Sequence, residues 1–393
     1  MLISKIGAGV AISAALILIA GNAQAQGTWT IVTAPPTGQN GVLEGVTSTS
    51  DTNAWAVGYS NAAANGLGAE PVIDQWNGTA WSQVTAPPTG YSTNVLADTS
   101  ASSTSDAWAV GWSEPERYTF HPLAMHWNGT AWSDTTSFTA ALEGQIADGV
   151  ADISSTDAYA IGGGLGSADE GEVAQWNGTT WTRLTVPLPQ NDNLASNLTG
   201  ISADSADDVW IVGTYELEVT SSDYADETYS LHWNGSSWSI ISMPLEPGTN
   251  PNFEYVFDSV HAISPTNVWA VGQAVNVAEP SSATTLIEHW NGTAWSIVAS
   301  PSVGTGDNLT GVTASSATDV WAVGYDTPSG SSTAQTLTLN WNGTAWSTVA
   351  SPNASTGSSL LTSVATAPGA AIIQAVGYSG TSGAFNPLAM QNG

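Results

Sequence analysis

Short runs of alternating apolar and polar residues recur along almost the whole chain, parted by clusters of Ser, Thr, Asn, Asp and Gly. That period of two marks half-buried β-strands. One stretch shows the plan. Leu309 to Ala314 alternates, Ser315 to Asp319 turns, and Val320 to Tyr325 forms a second strand. A Ser/Gly-rich loop follows from Asp326, and Thr336 to Trp341 then places Leu337, Leu339 and Trp341 on one face. Asn342-Gly343 predicts a tight hairpin leading directly into a fourth strand, Thr344 to Ala350, which Pro352 ends. No stretch sustains a helical period.

The plan repeats. Trp-Asn-Gly-Thr-Ala-Trp-Ser begins at Trp76, Trp127, Trp290 and Trp341, with close variants at Trp176 and Trp233; successive starts lie 51, 49, 57, 57 and 51 residues apart. A string like Val-Trp-Ala-Val-Gly precedes each copy, its aromatic at Trp55, Trp108, Tyr159, Trp210, Trp269 or Trp321. Ile373-Gln374-Ala375-Val376-Gly377 is a degraded seventh copy. Four strands per repeated unit predict an all-β fold, a seven-bladed β-propeller with four-stranded antiparallel blades. The seventh unit stops at Gln391-Asn392-Gly393, where its fourth strand should begin. Gly27-Thr28-Trp29-Thr30-Ile31-Val32-Thr33-Ala34-Pro35 matches Thr344 to Pro352, so the N-terminal strand is expected to complete blade 7 and close the ring. Residues 26–393 would then be one domain, with blade 7 built from 353–393 and 27–36.

Residues 1–25 read as a signal peptide: Lys5, an apolar run from Ile6 to about Ala20, then Ala23-Gln24-Ala25 at the cleavage site. A secreted, extracellular or cell-surface protein is expected, with the periplasm as the other compartment and no membrane insertion after cleavage. Three Lys or Arg stand against 33 Asp or Glu, a net charge of −30. Losing Lys5 leaves only Arg117 and Arg183 and a charge of −31. Such a chain cannot bind nucleic acid through a basic surface. There is no Cys, which excludes disulfides and thiol chemistry.

With the hairpins laid out, the repeat resembles those of bacterial secreted seven-bladed propellers. More distantly it is similar to bacterial propeller lectins with a Trp-Asp/Asn-Gly-x-x-Trp hairpin in each blade, here Trp127-Asn128-Gly129-Thr130-Ala131-Trp132. The second resemblance implies sugar binding in clefts between neighbouring blades. Longer, variable loops between second and third strands depart from that pattern, so no binding residue is carried over.

Candidate chemistry is sparse. There is no His-Glu-x-x-His string, Walker loop or Gly-x-Ser-x-Gly elbow. His126, His232 and His289 precede the third-strand Trp, where Gln or Asn stands in other blades, which suggests a structural hydrogen bond. Asn53, Asp106, Asp157, Asp208, Asn267 and Asp319 recur two residues before the second-strand aromatic and are assigned to turn structure. The Asn-Gly-Thr/Ser strings, with Asn197, Asn308 and Asn353, are also glycosylation sequons.

Loops from second to third strand, and from blade to blade, should share one face of the ring. Tyr59, Trp112, Tyr325 and Tyr378 would stand there as platforms for sugar rings, joined in blade 2 by Glu114, Glu116, Arg117, Tyr118 and His121. Blade 4 adds Glu216, Glu218, Asp223, Asp226 and Glu227, an acidic loop whose oxygens suit Ca²⁺ but lack EF-hand spacing. No other cofactor is expected. The reading is a non-catalytic propeller that recognises neutral glycans. The alternatives are a protein-interaction or matrix scaffold, and a polysaccharide hydrolase or lyase using paired carboxylates near the axis.

Overall fold

The structure is a computed structural model. It describes residues 27–393 except 36, 64–66, 117–118, 143–145, 164–170, 190–195, 221–222, 245–252, 277, 280–281, 355–356 and 382, with backbone only over the rest of 216–226. The expected signal peptide, residues 1–25, therefore lies outside the described residues.

The described residues form seven four-stranded antiparallel sheets, six of them with their strands in chain order from the axis outward. Blade 1 runs Val42–Ser50, Asn53–Ser60, Glu70–Trp76 and Trp81–Gln83. Blades 2 to 6 follow within 94–134, 146–184, 196–242, 253–297 and 308–348. Blade 7 takes Ser358–Ala365, Ile373–Thr381 and Ala384–Asn392, and Thr30–Val32 supplies its outer strand with Thr30 opposite Gln391. Each inner strand packs on that of the next blade, and the seventh packs on the first. Among the described residues the one helical turn is Thr136–Phe138.

Tryptophan sets the spacing of the blades. Trp55 of blade 1 meets both hairpin tryptophans of blade 2, with ring centroids 4.9 Å from Trp127 and 5.1 Å from Trp132. Trp108 meets Trp176 and Trp181, Trp210 meets Trp290 and Trp295, and Trp269 meets Trp341 and Trp346 in the same way. Between blades 3 and 4 the pair is Tyr159 and Trp238. Between blades 6 and 7, Trp321 packs edge-on against Trp29 of the closing strand at 5.6 Å.

The hairpins are not two-residue turns. Trp76 pairs with Trp81, which leaves a four-residue loop. Asn77 Oδ1 accepts the N–H groups of Thr79 and Ala80 at 3.0 Å, and Gly78 takes φ +92. A side-chain acceptor thus replaces the backbone geometry of the tight turn. The equivalent Asn side chain does the same in blades 2 to 6. Asn308 of the other sequons is 8 % exposed and faces Asp258.

The side-chain oxygens of the turn Asp and Asn residues take side-chain partners. His126 Nε2 lies 2.7 Å from Asp106, His232 2.7 Å from Asp208 and His289 2.8 Å from Asn267. Gln175 and Asn340 donate to Asp157 and Asp319 at 2.9 and 2.8 Å. The exchange of His, Gln and Asn at this position is a swap among hydrogen-bonding partners for the turn residue, as read from the sequence.

Inner strands are sheet edges, and side chains of the neighbouring blade cap their free N–H groups. Ser363 accepts from Val46, Asp98 from Val150, Ser259 from Val312, Ser100 from Asp152 and Ser202 from Ala262. Each inner strand also bulges once near its start, at Glu44, Ala97, Asp148, Thr199, Asp258, Thr310 and Thr362. The glycine of the second-strand repeat follows from that bulge. A Cβ at Gly58 would fall 2.1 Å from Val42 O, and one at Gly324 1.9 Å from Asn308 O.

Trp29 is buried and, among the described residues, is the blade 7 partner of Trp321 in the blade 6–7 aromatic contact. Trp29→Ala should cost about 3–5 kcal/mol, seen as a shift of one cooperative denaturant transition. A midpoint within error of the parent would show that the N-terminal strand does not close the ring.

Candidate functional site

Short turns occupy one face of the ring. The other carries the long second-to-third-strand loops and the blade-to-blade connections. The position after the second-strand glycine, toward this loop face, holds Tyr59, Trp112, Gly163, Thr214, Gln273, Tyr325 and Tyr378 in blades 1 to 7. Because blade 7 adjoins blade 1, the four aromatics form one arc over blades 6, 7, 1 and 2. All four are half-buried.

Within the arc, blades 1 and 2 part to leave a cavity of about 350 Å³. Blade 1 contributes Glu44, Tyr59, Ala62 and Ala69; blade 2 contributes Val95, Ala97 and Trp112. Its rims are tied together: Asn94 N–H donates to Ala69 O at 2.8 Å, and Gly68 N–H to Thr93 Oγ1 at 3.0 Å. Trp112 rests edge-to-face on Phe120 at 5.2 Å. On the adjoining connection Tyr91, 44 % exposed, stacks on His121 at 5.7 Å.

Glu44 is the chemical centre of this cleft and the functional candidate that repeat reading misses. It occupies the bulge where blades 4, 6 and 7 place Thr199, Thr310 and Thr362. Those hydroxyls donate across to Phe257 O, Leu361 O and Leu43 O of the next blade. Glu44 instead lines the cavity beside Val95 and Ala97, and among the described residues its carboxyl has no hydrogen-bond partner. Burial pushes its pKa up to about 7. Tyr59 is pushed up to about 12 by burial, then by the nearby Glu44 and Tyr378. Tyr378 is raised by burial, by Glu44 and by Tyr325.

Two other bulges carry acids with partners. Burial raises Asp148 to about 7, against a hydrogen bond from Gly163 N–H, and Asp258 to about 6, against one from Asn308.

The remaining candidates are dispersed. Glu116 is exposed near the tip of the blade 2 hairpin, opposite Thr119, and Arg117 and Tyr118 lie outside the described residues. The blade 4 acids do not form a loop: Asp208–Thr220 and Asp223–Trp233 are two long paired strands, with Glu216 opposite Asp226, Glu218 opposite Tyr224 and Asp223 opposite Thr220. Alternating Tyr, Leu, Val and Thr extend the strands past the acidic positions, which is why the loop expectation fails. Glu227 pairs in register with Tyr215, and burial raises its pKa. No group of three or more His, Asp or Glu among the described residues could hold a metal ion.

No family model matches the chain, and no curated protein matches it. Solved structures share its fold. A polysaccharide lyase of family PL25, an ulvan lyase, has a TM-score of 0.59 at 9 % identity, covering 92 % of this chain and 93 % of its own. YCF48 bound to a D1 peptide has a TM-score of 0.52 at 12 % identity, covering 93 % and 96 %. The fucose-specific lectin of Aleuria aurantia reaches only 0.46 at 12 %, covering 80 % and 97 %. At these identities the likeness is one of fold.

Glu44 holds its proton to about pH 7 in the fold, against the ordinary 4.5. Its contribution is therefore complete below pH 4.5 and lost as the pH rises toward 7. Glu44→Gln should flatten the fall in stability between about pH 5 and 8 in urea titrations. An unchanged slope would mean that Glu44 titrates like a solvated carboxylate.

Proposed function

We propose that this chain is a secreted carbohydrate-binding propeller and that a neutral glycan occupies the cleft between blades 1 and 2. One observation carries the reading. Two aromatic faces, Tyr59 and Trp112, share a pre-tied cleft with an unpaired carboxyl group, Glu44. Sugar rings offer apolar C–H faces to aromatic planes and hydroxyls to a few directed polar groups. A neutral Glu44 can both donate and accept such bonds.

Charge favours a neutral ligand. With −30 overall and no Lys beyond Lys5, a polyanion meets repulsion. The ulvan lyase was solved with -[GlcA(1-4)Rha3S]-, an anionic polymer. An anionic substrate here would need cations. Among the described residues the one arginine, Arg183, is paired with Glu172 at 2.6 Å on the outer strand of blade 3.

The raised Glu44 also supports a second reading, in which it acts as the general acid of a glycoside hydrolase. A glycan array followed by calorimetry separates the two. Trp112→Ala should weaken a neutral oligosaccharide at least about tenfold, roughly 1.4 kcal/mol, while Tyr325→Ala leaves affinity nearly unchanged. Turnover abolished by Glu44→Gln would favour the hydrolase. An array without hits, with a protein partner captured on the loop face, would favour the scaffold.

A further inference from the structure

Blade 7 breaks the repeat on the side that meets blade 1. Gln374 stands in the place of the second-strand tryptophan, Ile372 in that of the turn Asp or Asn, and Gln391 in that of His126 or His232. Strand alternation fixes where these side chains go. Val376 and Ala389 of blade 7 share an apolar cluster with Val72 and Trp76 of blade 1. Gln374 lies two residues before Val376, Gln391 two after Ala389, and Asp74 midway between Val72 and Trp76. All three therefore enter the same layer, and Gln374 stands directly opposite Gln391 in register.

The layer is closed to solvent at its polar centre: Asp74 is 1 % exposed and Gln374 2 %. Both Asp74 oxygens, both Gln374 amide atoms and Gln391 Oε1 lack a hydrogen-bond partner. Buried polar groups are almost always satisfied, so this concentration of orphans at one seam calls for an occupant. Four orphan oxygens stand against one amide nitrogen, and a protonated Asp74 adds one more donor, so the occupant must both donate and accept. Room for it follows from a glutamine standing where Trp55 fills the blade 1–2 layer beside Met125, the counterpart of Asp74.

We propose that the seam between blades 7 and 1 is a built hydration site, where ordered water donates to Asp74, Gln374 and Gln391 and accepts from the Gln374 amide. A metal ion fits less well. The Gln374 amide N–H needs an acceptor, which a cation cannot supply, and burial lifts Asp74 to about 7, which disfavours its charged form.

A high-resolution crystal structure of the whole chain tests this directly. Water within about 3.2 Å of both Asp74 and Gln374 is the expected result. A dry seam with Asp74 bonded directly to Gln374, or an ion with oxygen contacts near about 2.4 Å, would overturn it. A second test copies the blade 1–2 layer into the seam with Gln374→Trp and Asp74→Met together. Release of the water and filling of its space should raise the melting midpoint by several degrees. A lowered midpoint would show that the seam has no such space, and would equally overturn the proposal.

Discussion

One contact governs this molecule: a second-strand tryptophan held between the two hairpin tryptophans of the next blade. A four-stranded sheet has two apolar faces and nothing but other sheets to cover them. Twisted sheets set radially leave wedge-shaped gaps, and a large rigid ring fills such a gap better than aliphatic side chains. Trp55 against Trp127 and Trp132, at interplanar angles of 56° and 87°, is the pattern that recurs around the ring. It ties the hairpin sequence to the second-strand sequence of the preceding blade. Both strings recur together for that reason, and the turn face has little freedom to vary.

Freedom is left to the opposite face and to the inner-strand bulges. Three bulges keep threonine, whose hydroxyl ties one blade to the next. Glutamate at Glu44 breaks that tie between blades 1 and 2. Val95 and Ala97 line the cavity beside it. The result is an acid in an apolar cleft, an environment that shifts pKa values and that binding sites exploit. Asp148 and Asp258 occupy the same ring position, but Gly163 N–H and Asn308 answer them. The contrast between partnered and unpartnered acids singles out the blade 1–2 cleft.

Much of this was legible in the residues. The repeats specified blade number and strand order, and the match between Thr28-Trp29-Thr30 and Ala345-Trp346-Ser347 specified closure. Contiguity of Tyr325, Tyr378, Tyr59 and Trp112 follows from closure alone. Three features were hidden. The Asn-Gly hairpin is longer than its dipeptide implies because Asn Oδ1 caps two N–H groups. The blade 4 acids sit on extended strands, which their charge disguised as a loop. Glu44 required knowledge of the bulge, since alternation alone cannot say that an extra residue points toward a neighbouring blade. Its one sequence signal was a glutamate aligned with Thr199, Thr310 and Thr362.

Fluorine NMR of protein carrying 5-fluorotryptophan offers the most direct test that the blade 1–2 cleft holds the ligand. Titration with neutral oligosaccharides should move the Trp112 resonance saturably while Trp55, Trp108 and Trp132, buried between blades, stay in place. Saturable shifts confined to other tryptophans, or none across a broad panel, would contradict it.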